Sequence, residues 1–228
     1  LENFDGRYNG VSTSAHELGH SMHTLLSHRH QPYPTADYKI FVAEVAFTLN
    51  ENLLLEYMLS QTKDKQTRLF LLGSYLDGLR TTLFRQTLFA EFEWRIHELG
   101  EKGEPLTGEK LTLLYRKLLK EYYGDAAGIC KIDDLYGIEW AYIPHFYYNF
   151  YVYQYATSIK ASAQIASRIR ADPTGESRDA YLQMLSAGSS KPPLELLKDA
   201  GVDLTTPEPF DAAIKQMNRV MDEMEKLL

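Results

Sequence analysis

One cysteine, Cys130, stands in 228 residues, so no internal disulfide can staple the fold. A chain that folds without disulfides suits a reducing compartment, and a cytoplasmic location is the expectation. Positive charge is also short. Lysine and arginine total 24 against 31 acidic residues, for a formal net charge of -7. That balance argues against a nucleic-acid partner, which needs a clustered basic face. No apolar run approaches the roughly 20 residues that cross a bilayer, so no membrane partner is expected. No signal peptide is visible. Internal repeats and low-complexity linkers are missing too, and strand patterning is almost absent. An initiating methionine is lacking: the chain opens at Leu1, and "LENFDGRYNG" leads almost at once into a dense motif. The expectation is a fragment or a processed product.

What is present is mostly helical patterning. Apolar residues make up 44% of the chain, enough for a real core. Val11, Ala15, Leu18, Met22, Leu25 and Leu26 recur at three- to four-residue spacing, which predicts a helix over 11–29. Ser12, Thr13 or Ser14 can cap it, and Pro32 and Pro34 mark its exit. Further helices are expected over 37–61, 64–99, 107–123, 139–170, 177–187, 193–200 and 208–227. Gly100 ends the helix over 64–99, Thr107 caps the one over 107–123, and Pro193 sits in a first turn. A short strand fits near Leu1–Phe4. One mostly α domain over 1–228 is the simplest organisation.

The densest chemistry lies in "STSAHELGHSMHT", residues 12–24. His16 and His20 are four apart, so on a helix both rings share one face. Two imidazoles so placed can grip a zinc ion at roughly 2.0–2.1 Å each. Glu17, beside His16, can reach a water on that ion rather than the ion itself. Zinc lowers the pKa of such a water toward about 7. Glu17 can then take its proton as it attacks a carbonyl and hand it to the leaving amine. Gly19 keeps the motif narrow, so a substrate or a packed neighbour can come close. The bland alternative is a helix with solvated polar residues.

A catalytic zinc usually has three protein ligands and one open position. "YKIFVAEVAFTLNENLLLEY" offers the third. Glu44 lies between Ala43 and Val45, with Phe41 and Phe47 nearby. A carboxylate so flanked is costly to bury unless paired or bound to metal. One helix down, a proline turn and one helix back would bring it to the two histidines. Glu51, two turns further, could orient a ligand histidine through its other ring nitrogen. A plain surface or capping role is the alternative.

These residues resemble a known family. "HELGH" followed by "FVAEVAFTLNENLLLEY" is similar to the oligoendopeptidase F branch of the thimet oligopeptidase and neurolysin-type zinc metallopeptidases. "FRQTLFAEFEWRIHELGEKGEPLT", "WAYIPHFYYNFYVYQYATS" and "PPLELLKDAGVDLTTPEPFDAAI" carry the likeness along nearly the whole chain. The resemblance implies a multi-helix zincin-type catalytic lobe, with His16, His20 and Glu44 as zinc ligands and Glu17 as general base and acid. It also implies short peptides as substrates. Family members are much longer, so the chain is expected to be a C-terminal catalytic part without the opposing wall of the substrate channel. Exposed apolar surface and self-association would follow from that. Phe47 stands where the family pattern has a small residue such as serine.

"IPHFYYNFYVYQYATS" holds His145 and five tyrosines. On a helix, His145, Tyr148, Tyr151 or Val152, and Tyr155 would share a face. A phenol or imidazole N–H aimed at the developing oxyanion stabilises the transition state. In the resembling family a histidine and tyrosines of this segment take that role, which points to Tyr148 and Tyr151 first, then His145 and Tyr155. Phe146, Phe150 and Tyr153 are expected in the core. His23 reads as structural or as a neighbour of the ligands, His28 and His30 as solvated, and His97 and Cys130 as structural. Glu91 and Glu93 are expected to pair with Arg85 or Arg95. Three functions follow: a zinc endopeptidase, a zinc-binding but inactive lobe, or a helical interaction protein with a coincidental motif.

Overall fold

The computed structural model describes residues 4 and 6–228. Every regular element among them is helical. The mostly α expectation therefore holds, while the strand expected near Leu1–Phe4 falls largely outside the described residues. The helices are α1 (Tyr8–His30), α2 (Tyr33–Ala36), α3 (Ile40–Gln61), α4 (Lys65–Leu79), α5 (Arg85–Glu101), α6 (Gly108–Tyr122), α7 (Tyr153–Ala171), α8 (Glu176–Ser186), α9 (Pro193–Asp199) and α10 (Glu208–Leu227). A π-helical segment, Arg80–Phe84, joins α4 to α5, so the expected helix over 64–99 is one helical run with a wider turn inside it.

The chain divides into two compact units, Leu1–Leu79 with Thr157–Leu228, and Arg80–Ala156. A single domain was the sequence reading. Pattern along the chain marks helices, but it does not reveal that residues 80–156 close on a core of their own.

The first unit is built around α3. Its residues 42–49 are buried without interruption, and a helix that is apolar all round belongs in an interior. Val42, Val45 and Leu49 pack with Ala161 and Ile165 of α7, Tyr181 and Leu185 of α8, and Leu197 of α9. Ion pairs fasten the rim: Arg170 of α7 and Arg219 of α10 reach Glu56, and Arg68 of α4 reaches Glu223 of α10.

The helix α1 lies along α3 in the opposite direction. Ala15 and His16 meet Asn50 and Glu51, Gly19 meets Phe47, and His23 meets Tyr38. The buried residues of α1 are Gly19, His23 and Ser27, at i, i+4 and i+8. The expected apolar face is split: Leu26 packs against the core and Val11 and Ala15 are half-buried, while Leu18, Met22 and Leu25 are exposed. Close packing decides this orientation. A Cβ on Gly19 would stand 2.7 Å from the Phe47 Cα and 2.9 Å from its Cβ, so only glycine lets the backbones approach.

The second unit packs Leu88, Phe89 and Phe92 of α5 against Tyr115 and Leu118 of α6, with Ile143 and Val152. Thr107 caps α6 as expected, accepting from the Lys110 N–H at 3.3 Å. The long helix expected over 139–170 does not form as one piece. Two 3₁₀ segments, Asp134–Tyr142 and Pro144–Tyr147, precede α7. Pro144 explains the break: it lacks an N–H, and its ring disfavours a helical residue before it. Ile143 is accordingly extended, at φ -92° and ψ 102°. Beyond it, Asn149 and Phe150 adopt positive φ, 40° and 57°.

Gly19→Ala should lower stability by about 1–3 kcal/mol through overpacking, although alanine is the better helix former. Thermal or urea unfolding checks this. An unchanged or raised midpoint would mean that α1 and α3 are not held this closely.

Candidate metal and catalytic site

The α1–α3 contact brings the motif residues together. His16 Nδ1 lies 3.0 Å from Glu51 Oε1, the pairing that one reading of Glu51 anticipated. That bond fixes the ring and leaves Nε2 as the nitrogen for other work. The rings of His16 and His20 are edge to face, with centroids 5.4 Å apart. Phe47 touches both, stacked on His16 at 3.7 Å and tilted against His20 at 4.4 Å. Glu17 is exposed on the outer edge of the same helix.

Glu44 is 7% exposed, not the solvated edge residue of the alternative reading. Among the described residues none donates a hydrogen bond to its carboxylate. Burial pushes its pKa up to about 7, against the pull of His16 and with the push of Glu51. Burial alone would lower the His16 pKa, but its bond to Glu51 and the charges of Glu51, Glu44 and Glu17 raise it overall. His20 goes the other way, lowered by burial and by His16. Two imidazoles beside a buried, uncompensated carboxylate are the right donor types for zinc. The convergence expected of His16, His20 and Glu44 is less complete. Among the described residues, no group of three or more His, Cys, Asp or Glu side chains is arranged to hold a metal ion.

His23 is buried, stacked on Tyr38 at 3.6 Å, and its Nδ1 has no hydrogen-bond partner among the described residues. Burial, helped by the nearby His20, lowers its pKa to about 4, so it packs as a neutral ring. His30 Nδ1 bonds the Leu26 carbonyl at 2.8 Å, and His28 lies near Asp37 on the surface. Cys130 is exposed.

In the second unit the aromatic segment forms a cluster without being a helix. His145 stacks on Tyr151 with centroids 5.4 Å apart, and Tyr151 in turn meets Tyr148 and Tyr155. The Tyr155 hydroxyl lies 3.3 Å from His145 Nε2. The shared-face argument for these four residues therefore fails, because the positive-φ turn at Asn149 and Phe150 intervenes. That turn gathers the same four side chains by another route. Tyr148 is exposed. Phe150 and Tyr153 are also exposed, contrary to expectation, while Phe146 packs against the core.

Glu93 anchors the turn. It is 1% exposed and accepts the Phe150 N–H at 2.6 Å, and the Phe150 ring leans on His97 at 4.4 Å. It makes no pair with Arg85, which binds Glu139, or with Arg95, which binds Glu91. The sequence carried a signal for Glu93, a carboxylate inside "FAEFEW". What the sequence did not show is its partner, a backbone N–H rather than an arginine.

Comparison with known proteins gives the family. The model of peptidase family M3 matches residues 1–216. The chain belongs to peptidase family M3. It is 50% identical over 228 residues to oligopeptidase PepF of Bacillus subtilis, covering 100% of this chain and 33% of that protein. It is 45% identical to an oligoendopeptidase F homolog of Lactococcus lactis, covering 37% of that protein. The crystal structure of oligoendopeptidase-F from Enterococcus faecium superposes with a TM-score of 0.82 at 41% identity, over 96% of this chain and 39% of that one. The chain thus spans about a third of the length of the relatives it matches. These shares measure how much of each relative is matched, and the expected C-terminal position does not follow from them.

The neutral His23 ties stability to pH. Its folded pKa is depressed, so the unfolded chain binds more protons between about pH 4 and 6.5. Its contribution is present above the unfolded value and is lost as pH falls toward 4, by up to about 3 kcal/mol. His23→Phe, which keeps the stack on Tyr38, should flatten the urea stability profile over that window. Parallel profiles for the two proteins would contradict the assignment.

Proposed function

We propose that this chain carries the zinc-binding and catalytic residues of a peptidase that hydrolyses internal bonds of short peptides. One observation supports this most. His16, oriented by Glu51, faces a buried carboxylate, Glu44, that no hydrogen bond from the described residues compensates. In this reading His16, His20 and Glu44 hold one zinc ion. Bound zinc would supply the Lewis acidity that activates a water and polarises the scissile carbonyl. Glu17, free on the outer edge of α1, accepts the proton of the attacking water and delivers it to the leaving amine. Tyr148 and Tyr151, with His145 and Tyr155 beside them, are proposed as donors to the developing oxyanion. The single exposed Cys130 supports a reducing, cytoplasmic setting. The exposed Leu18, Met22 and Leu25 on α1 support self-association, which light scattering would detect.

A second reading, zinc binding without turnover, is favoured by two facts. The chain spans about a third of its relatives, and no three-donor group is drawn together among the described residues. Elemental analysis and a quenched fluorescent peptide separate the two. The first reading expects about one zinc per chain, removable by chelation, and cleavage that returns with zinc. Glu17→Gln should keep the zinc and lower turnover by at least about a hundredfold. Zinc without cleavage in the parent protein would favour the second reading, and no zinc after reconstitution would defeat both.

Tyr148→Phe and Tyr151→Phe should each lower kcat by about a hundredfold at constant zinc content. Full activity in both variants would remove the tyrosines from the chemistry.

A further inference from the structure

Along α3, Glu44, Phe47 and Glu51 follow one another on the side that meets α1. The outer two are acids that act on His16, one by charge and one by a hydrogen bond. Phe47 lies between them and is 2% exposed. Its backbone closes against Gly19, which lies between His16 and His20 on α1. From there its ring lies against both imidazoles. It stacks on His16, 30° from parallel, and meets His20 at 52°.

We infer that Phe47 is a positioning residue that fixes the ring planes of His16 and His20 for metal binding. This rests on the reading of these histidines as zinc ligands and adds a residue that itself binds nothing. An imidazole on a helix has two torsions to settle. The Glu51 bond fixes which His16 nitrogen faces inward, but a hydrogen bond alone leaves the ring free to swivel about it. A flat face at 3.7 Å removes that swivel. His20 has no such carboxylate partner among the described residues, so its contact with Phe47 does more of the work there. Holding the rings before the ion arrives lowers the ordering cost of binding. Phe47 also keeps solvent from the stacked ring faces, because it is itself buried.

The test is metal affinity rather than turnover. Phe47→Leu keeps the apolar volume and removes the aromatic face, and Phe47→Tyr restores the face. Zinc affinity is measured by competition with a chromophoric chelator, and coordination by the visible absorption of the cobalt-loaded protein. Circular dichroism establishes that each variant is folded. The inference expects Phe47→Leu to bind zinc about tenfold more weakly, with an altered cobalt band, and Phe47→Tyr to return both toward the parent. Equal or tighter binding in a folded Phe47→Leu, with an unchanged cobalt band, overturns the inference and leaves the zinc-peptidase reading standing. No metal bound by the parent protein overturns that reading and this inference with it.

Discussion

The close approach of α1 and α3 at Gly19 and Phe47 is the constraint on which the rest depends. With no side chain at Gly19, the two helices come near enough for one to place its acids against the other's histidines. The geometry has a cost. It puts Gly19, His23 and Ser27 of α1 toward the interior and leaves Leu18, Met22 and Leu25 outside. A helix arranged for hydrophobic burial alone would be turned the other way. The apolar interior is supplied by α3 instead, whose residues 42–49 are buried throughout. Glu44 sits within that run, which is why its carboxyl is held so far above its ordinary range.

A buried acid between apolar neighbours needs a compensating partner. Among the described residues the Glu44 carboxylate accepts no hydrogen bond, while that of Glu93, the comparable acid of the second unit, accepts one from the Phe150 N–H. The two show different solutions to the same problem. Glu93 is satisfied by backbone and in return holds a positive-φ turn in place. On the proposed reading Glu44 is left for a cation, with His16 and His20 as the donors a divalent ion would require alongside it.

The sequence was a good guide to where helices are and a poorer one to which side they present. Spacing located α1, α3, α6 and α8 to α10 closely, since capping and breaking residues mark their ends. It did not show which side of α1 is buried, because periodicity counts apolar side chains and does not register that glycine permits contact. The run over 139–170 was misread for a related reason. Its apolar and aromatic content suits a helix, and the one residue that forbids it, Pro144, was outweighed by the rest. The candidate site rests on signals of a different kind from those that mark helix ends. Four-residue histidine spacing, a carboxylate among apolar residues and the departure at Phe47 are all local signals. Glu93 carried the same kind of signal, but its partner is a backbone N–H more than fifty residues away, which no local pattern discloses.

The central claim is that His16, His20 and Glu44 form one metal site. A crystal structure of the zinc-loaded protein, with anomalous data recorded at the zinc edge, tests it most directly. The account predicts one strong anomalous peak bounded by the two imidazoles and the Glu44 carboxylate, each at roughly 2.0–2.2 Å. A peak elsewhere, or Glu44 turned away from a zinc held by the histidines alone, would contradict it.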